Sequence, residues 1–177
     1  MPVFSYRGRL PTIAGTAFLA PTATVIGDVL IGDLSSIWFG AVVRGDVFPI
    51  RIGARTNIQD NAVVHVTGDR AATTIGDDVT VGHLAIVHGC TIGDRCLVGM
   101  GSIVLDGAVV EEECMVGAGS VIPPRMRIPS RSLVVGNPAR ILRKLDDADL
   151  DRIRAAAAAY LEVAESHKED FSRKPRS

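Results

Sequence analysis

One feature limits what this chain can fold into: an isoleucine or valine that returns every six residues. From Val25 it recurs at Ile31, Ile37, Val43, Ile52, Ile58, Val64, Ile75, Val81, Val87, Ile92, Val98, Val104, Val110, Val116 and Ile122, and all sixteen positions are Ile or Val. Three steps depart from six: nine residues from Val43 to Ile52, eleven from Val64 to Ile75, and five from Val87 to Ile92. A helix cannot carry this period, because six steps of about 100° bring a side chain round to a different face. A second ladder of mostly small residues stands four after each anchor: Ser35, Ala41, Val47, Thr56, Ala62, Val79, Ala85, Thr91, Cys96, Ser102, Ala108, Cys114 and Ser120. Short strands that bend every six residues account for both ladders. The anchors then fill a triangular coil and the small residues sit inward near its corners. Three hexapeptides make one turn, so residues about 18 apart stack at a strand spacing of about 4.8 Å. The expectation is a parallel β-helix.

Composition agrees. Aromatics are only 5% of the 177 residues, too few for a core of large rings, while glycine is high at 18. A hydrophobic share of 47% with 22% charged residues describes a folded chain. The net charge of -1 gives no basic field for nucleic acid or anionic lipid. No apolar run approaches the roughly 18 residues of a membrane span, and Met1–Pro11 lacks a signal-peptide stretch. Three cysteines without paired spacing make no disulfide framework. A soluble, cytoplasmic protein is expected, with no nucleic-acid or membrane partner.

The domain reading places the β-helix and a capping segment in residues 1–145. After Ile122 the repeat is expected to stop, with Pro123-Pro124 and Pro129 marking an irregular crossing. Residues 146–171 read as a C-terminal helix packed on the β-helix. It has an Asp-rich first turn, and Leu150, Ile153, Ala157, Leu161 and Ala164 lie on one side. Residues 172–177 are expected to be a frayed tail.

The irregular steps locate the chemistry. Each third anchor shares a face, so Val25, Val43, Val64, Val87, Val104 and Ile122 form one column. The outward residues just after them are Ile26, Arg44, His65, His88 and Leu105. His65 and His88 therefore stand one coil apart on one face. His83 falls in the column Phe39, Asp60, His83, Met100 on another face and points away from the pair unless it sits tight at the corner. A second copy packed alongside could supply the third imidazole, which favours a trimer with a site at each subunit boundary. Surface histidines at turns are the bland alternative. The sharper reading is a metal: tetrahedral Zn–N bonds of about 2.0–2.1 Å need two nitrogens roughly 3.3 Å apart, and three histidines plus water form an open site. Fe2+ or Co2+ could use the same ligands. His167 reads as a solvated residue at the polar end of the helix.

The motifs Arg44-Gly-Asp46, Ile52-Gly-Ala-Arg-Thr-Asn-Ile-Gln-Asp60, His65-Val-Thr67, Val81-Gly-His83 and Leu84-Ala-Ile-Val-His88-Gly-Cys-Thr-Ile-Gly93 resemble those of γ-class carbonic anhydrases and their bacterial relatives, over roughly residues 10–165. That resemblance implies a left-handed β-helix homotrimer that hydrates CO2 to bicarbonate. It implies a Zn2+ ion held by His65 and His88 of one chain and His83 of the next. It also implies that Gln59 orients the reacting hydroxide, that Tyr160 stands near the metal, and that Arg44 and Asp46 form an inter-subunit ion pair. Asn57 and Asp60 match polar positions supporting the site. The chain departs from the pattern where a proton shuttle belongs: Thr67-Gly-Asp-Arg-Ala-Ala72 is short, and Val47 follows Asp46 where an acidic residue is expected. The rival readings are a CoA-dependent acyltransferase, a metal-dependent thioesterase and an inactive trimeric scaffold. Cys96 and Cys114 are inward positions one coil apart, packed as thiols, with a disulfide conceivable. Cys90 reads as facing outward beside His88.

Overall fold

In the computed structural model, which describes residues 3–172, the anchor ladder becomes three columns of stacked, parallel strands. One runs Val25, Val43, Val64, Val87, Val104, Ile122. The second runs Ile13, Ile31, Ile52, Ile75, Ile92, Val110, Ile128. The third runs Leu19, Ile37, Ile58, Val81, Val98, Val116, Val134, which makes seven rungs. All sixteen repeat anchors are at most 2% exposed. This is the parallel β-helix that the period requires.

The coil runs further than the sequence pattern marks. Arg127–Ile128 and Ser132–Gly136 continue the second and third columns past all three prolines, so no irregular crossing follows Ile122. The reason is a hydrogen-bond count. Elsewhere the residue after an anchor donates its N–H to the next rung, as Gly93 does to Val110 O at 2.7 Å and Glu111 to Ile128 O at 3.0 Å. Pro123 and Pro129 follow the last anchors of their columns, where no further rung waits for an N–H, so proline is tolerated.

The corners repeat as well. The residue three after an anchor adopts left-handed backbone, at φ from 53° to 62° for Leu34, Arg55, Asn61, Asp78, Leu84, Arg95, Glu113 and Arg125. A non-glycine residue gives up about 1–2 kcal/mol in that region. The stack holds it there: Arg55 N donates to Asp33 O at 2.8 Å and Arg95 N to Asp77 O at 2.8 Å. Tight stacking also explains Gly53, where a Cβ would come within 2.7 Å of the Gly76 backbone.

Two positions of the small-residue ladder are corrected. Val47 is 44% exposed and Thr91 is exposed, because they follow anchors whose steps are not six residues long. Counted two back from the next anchor, Ile50 and Cys90 take those corners, and both are buried. Cys90 therefore faces inward, not outward. All three cysteines are free, buried thiols. The three irregular steps share one corner, between the first and second columns. The bulge of strand Val42–Ile52 and the turn after His65 meet there, with Val47 against Gly68.

The helix Asp147–Ser172 covers the third face, over Phe18–Leu19, Ser36–Ile37 and Thr80–Val81. It starts at a reciprocal cap: Asp149 N donates to Asp146 Oδ1 at 2.9 Å and Asp146 N to Asp149 Oδ2 at 3.1 Å. Leu150, Ile153, Ala157 and Ala164 are buried and Leu161 half-buried, as the spacing predicts. His167 is not simply solvated. The last turns pass over the first rungs, and its ring lies 5.4–5.9 Å from the centroids of Trp38, Phe39, Phe171 and Phe18. Ser172 is still helical, and residues 173–177 of the expected frayed tail lie outside the described residues. Before the helix in the chain, strand Ala139–Lys144 turns back antiparallel on Ser132–Gly136 and ends the stack. Among the described residues no helix is long and apolar enough to cross a membrane.

Candidate metal centre

Adjacent rungs bring His65 and His88 into register, and their rings meet with Nδ1 of His65 3.1 Å from Nε2 of His88. Each ring is held from its far side by a carboxylate. His65 Nε2 lies 3.2 Å from Asp46 Oδ1, and His88 Nδ1 lies 2.6 Å from Asp106 Oδ1. Asp46 reaches His65 from the bulged strand and pairs through its other oxygen with Arg44. Burial opposes the Asp46 charge, but hydrogen bonds from Arg44 and His65 outweigh it and hold the carboxyl below its ordinary range. Asp106 is also held low, by a hydrogen bond from Thr67 and then by His88. Burial pushes the His65 imidazole down, with Arg44 adding to the effect, which favours the neutral ring a metal requires.

This arrangement leaves two ring nitrogens facing one another. When each imidazole spends its single N–H on its carboxylate, two bare lone pairs point together across 3.1 Å. A cation between them relieves that repulsion, and carboxylates on the far nitrogens are the usual partners of metal-bound histidine. The donor set fits a borderline divalent ion such as zinc.

The other expected residues gather on the helix-covered face. Gln59 is buried; its Nε2 donates to Asn57 Oδ1 at 3.1 Å and its Oε1 accepts from the His83 backbone N–H at 3.2 Å. Asn57 is fixed in turn by Nδ2 donating to Thr80 Oγ1 at 2.9 Å. His83 Nδ1 lies 2.9 Å from Asp60 Oδ2, while its Nε2 lies 3.3 Å from the Tyr160 hydroxyl. Burial, and then the Asp60 charge, raise the Tyr160 phenol above its ordinary value. Gln59, His83, Met100 and Tyr160 line a groove of about 440 Å³. A larger cleft of about 560 Å³, lined by Tyr6, Arg7, Arg9 and Phe48, touches the histidine pair only through Asp46.

The chain thus holds two half-sites. His65, His88, Arg44 and Asp46 come together, as do Gln59, Asn57, Asp60, His83 and Tyr160. The two groups do not meet: among the described residues no three His, Cys, Asp or Glu side chains gather to hold an ion. Sequence reasoning missed Thr67, Thr80 and Asp106. Asp106 carried a signal, since it lies 18 residues beyond His88.

The fold defines a class, the hexapeptide-repeat β-helix proteins, here with histidines displayed on two faces of the coil. Residues 72–104 and 89–124 match the family described as Bacterial transferase hexapeptide (six repeats). The chain is 49% identical over 164 residues to Gamma carbonic anhydrase 1, mitochondrial, of Arabidopsis thaliana, covering 90% of this chain and 60% of that protein. It therefore spans about three fifths of the length of that plant relative. It is 42% identical over 166 residues to a carbonic anhydrase of Geobacillus kaustophilus, covering 94% and 91% of the two chains. A Bacillus cereus crystal structure that carries an acetyltransferase designation superposes with a TM-score of 0.92 at 41% identity, covering 94% of this chain and 96% of that one. This chain belongs to the γ-class carbonic anhydrase family.

Proposed function

We propose that the protein is a homotrimeric, cytoplasmic zinc enzyme that interconverts CO2 and bicarbonate, with each ion held by His65 and His88 of one subunit and the His83 position of the next. The observation that carries this reading is the facing pair of ring nitrogens, 3.1 Å apart, each ring backed by a carboxylate. His83 repeats the carboxylate backing, with Asp60 on Nδ1 and the Tyr160 hydroxyl on Nε2. A zinc ion with an open coordination position lowers the pKa of its water to about 7, and so supplies a nucleophile for CO2 at neutral pH.

The chain's own residues do the rest. Gln59 is tied to Asn57 and to the His83 backbone, which leaves one amide N–H with which to aim the nucleophile. The Tyr160 hydroxyl occupies His83 Nε2 in the single chain and must release it when that nitrogen takes a ligand. Val47, half exposed and against Gly68, brings no acid to the position where a proton shuttle is expected, so the rate is expected to depend on buffer.

Stopped-flow CO2 hydration on protein of measured metal content tests this, with His88→Ala as control. The expected result is a rate above the control that rises with pH through about 7 and increases with imidazole buffer. One ion per chain with no rate would remove the hydratase reading. An acyltransferase, which the designation of the Bacillus cereus relative would favour, predicts acetyl-CoA binding without metal, and calorimetry separates the two.

A further inference from the structure

Asp106 belongs to none of the expected site residues, yet it makes the shortest hydrogen bond to any of the three histidines. One oxygen lies 2.6 Å from His88 Nδ1, and the other accepts from Thr67 Oγ1 at 2.5 Å. Three successive rungs meet in this chain of contacts. Thr67 stands two residues past His65, His88 one rung on, and Asp106 one rung beyond that.

The backbone is shaped to allow it. Gly89 sits at φ +57°, where a Cβ would lie 2.6 Å from Asp106 Oδ1 and 2.9 Å from the Ala71 Cβ. Glycine opens the gap through which the carboxylate reaches His88. Thr67 is itself fixed, because its N–H donates to Ala71 O at 3.2 Å and Ala71 N returns to Thr67 O at 3.1 Å. The Thr67–Ala71 turn is the eleven-residue step of the repeat. In this structure that turn serves as an anchor for Asp106.

We propose that Asp106, clamped by the Thr67 hydroxyl through the opening at Gly89, is a positioning residue that fixes the His88 ring and presents its Nε2 for metal binding. The inference rests on the metal reading above. A carboxylate on Nδ1 selects the Nδ1–H tautomer, locks the ring plane and raises the basicity of Nε2. The turn after His65 thereby sets metal affinity without touching the ion.

Two measurements test it on the full-length protein. Imidazole 15N shifts of metal-free wild type should show His88 as the Nδ1–H tautomer, and Asp106→Asn, which keeps the shape but not the charge, should yield a tautomer mixture. Zinc competition against a chromophoric chelator should show affinity 10–100-fold weaker in Asp106→Asn, with a shifted Co2+ absorption spectrum. Thr67→Val should fall between wild type and Asp106→Asn, and Thr67→Ser should restore wild-type affinity. If Asp106→Asn fails to fold, the two Thr67 variants carry the comparison. Wild-type zinc binding matched within twofold by Asp106→Asn, or by Thr67→Val where Asp106→Asn does not fold, would overturn the positioning role alone. Wild type that binds no zinc would overturn the metal reading, and the metal role of Asp106 with it.

Discussion

Ile153→Ala isolates what the C-terminal helix contributes. Ile153 is 1% exposed and packs with Leu145 and Leu150 against Leu97, Met115 and Leu133 of the coil, apart from the main core. The substitution deletes three buried carbons, and at about 0.8 kcal/mol for each the transfer loss is about 2.4 kcal/mol. The cavity left behind raises the total to about 2.5–4 kcal/mol. No histidine of the two half-sites lies on the helix, but Tyr160 does, and it lines one groove with Gln59. Zinc content should therefore survive while turnover falls. The single tryptophan reports helix docking, because Trp38 lies edge-on to Tyr160 at 5.1 Å. Urea unfolding followed by Trp38 emission should shift by the stated free energy. A loss below about 1 kcal/mol, with unchanged emission and turnover, would refute the claim that this apolar stripe holds the helix down.

Leu34→Gly should stabilise the fold by about 0.5–1 kcal/mol in urea unfolding, since the half-exposed Leu34 sits at φ 58° and relief of about 1–2 kcal/mol exceeds the entropy glycine adds to the unfolded chain. Arg143 holds Asp149 down to about 2 from an ordinary 3.8. Because the folded value is the lower one, its stabilisation is complete above about pH 4 and disappears as pH falls through about 2. The loss of urea stability between about pH 5 and about pH 2, followed by Trp38 emission, should be smaller in Asp149→Asn than in wild type. Burial pushes the Cys90 thiol up to about 12, and Cys96 and Cys114 are closed inside the coil. Ellman's reagent should find no reactive thiol in the native protein and three after unfolding.

The fold was legible because a β-helix writes its interior into the sequence at a fixed step. Ile58 and Val81 are predictable from their neighbours without any knowledge of distant contacts. The errors lie where that local rule meets the third dimension. The sequence pattern reads as ending at Ile122 because prolines follow it, and only the missing next rung makes those prolines harmless. Cys90 reads as outward in the sequence because a five-residue step moves the corner by one residue. His167 looked polar because nothing in a helix sequence says which rungs its far end will cross. In the site, column arithmetic placed His65 beside His88 and sent His83 elsewhere. It passed over Asp106, whose contact depends on a glycine gap and a turn 39 residues away.

A stack of identical rungs has no intrinsic length: each finished turn offers the next a complete row of hydrogen-bonding groups, and another chain could take that row as readily as this one. The reversal of Ala139–Lys144 removes the invitation on one face. A strand running the wrong way no longer matches the parallel rows of a second coil, and it carries Arg140, Arg143 and Lys144 along its outer margin. Copies that approach head to tail along this face meet a strand of the wrong polarity, so growth into a fibre is blocked there, while the two faces that the helix leaves uncovered stay open for association.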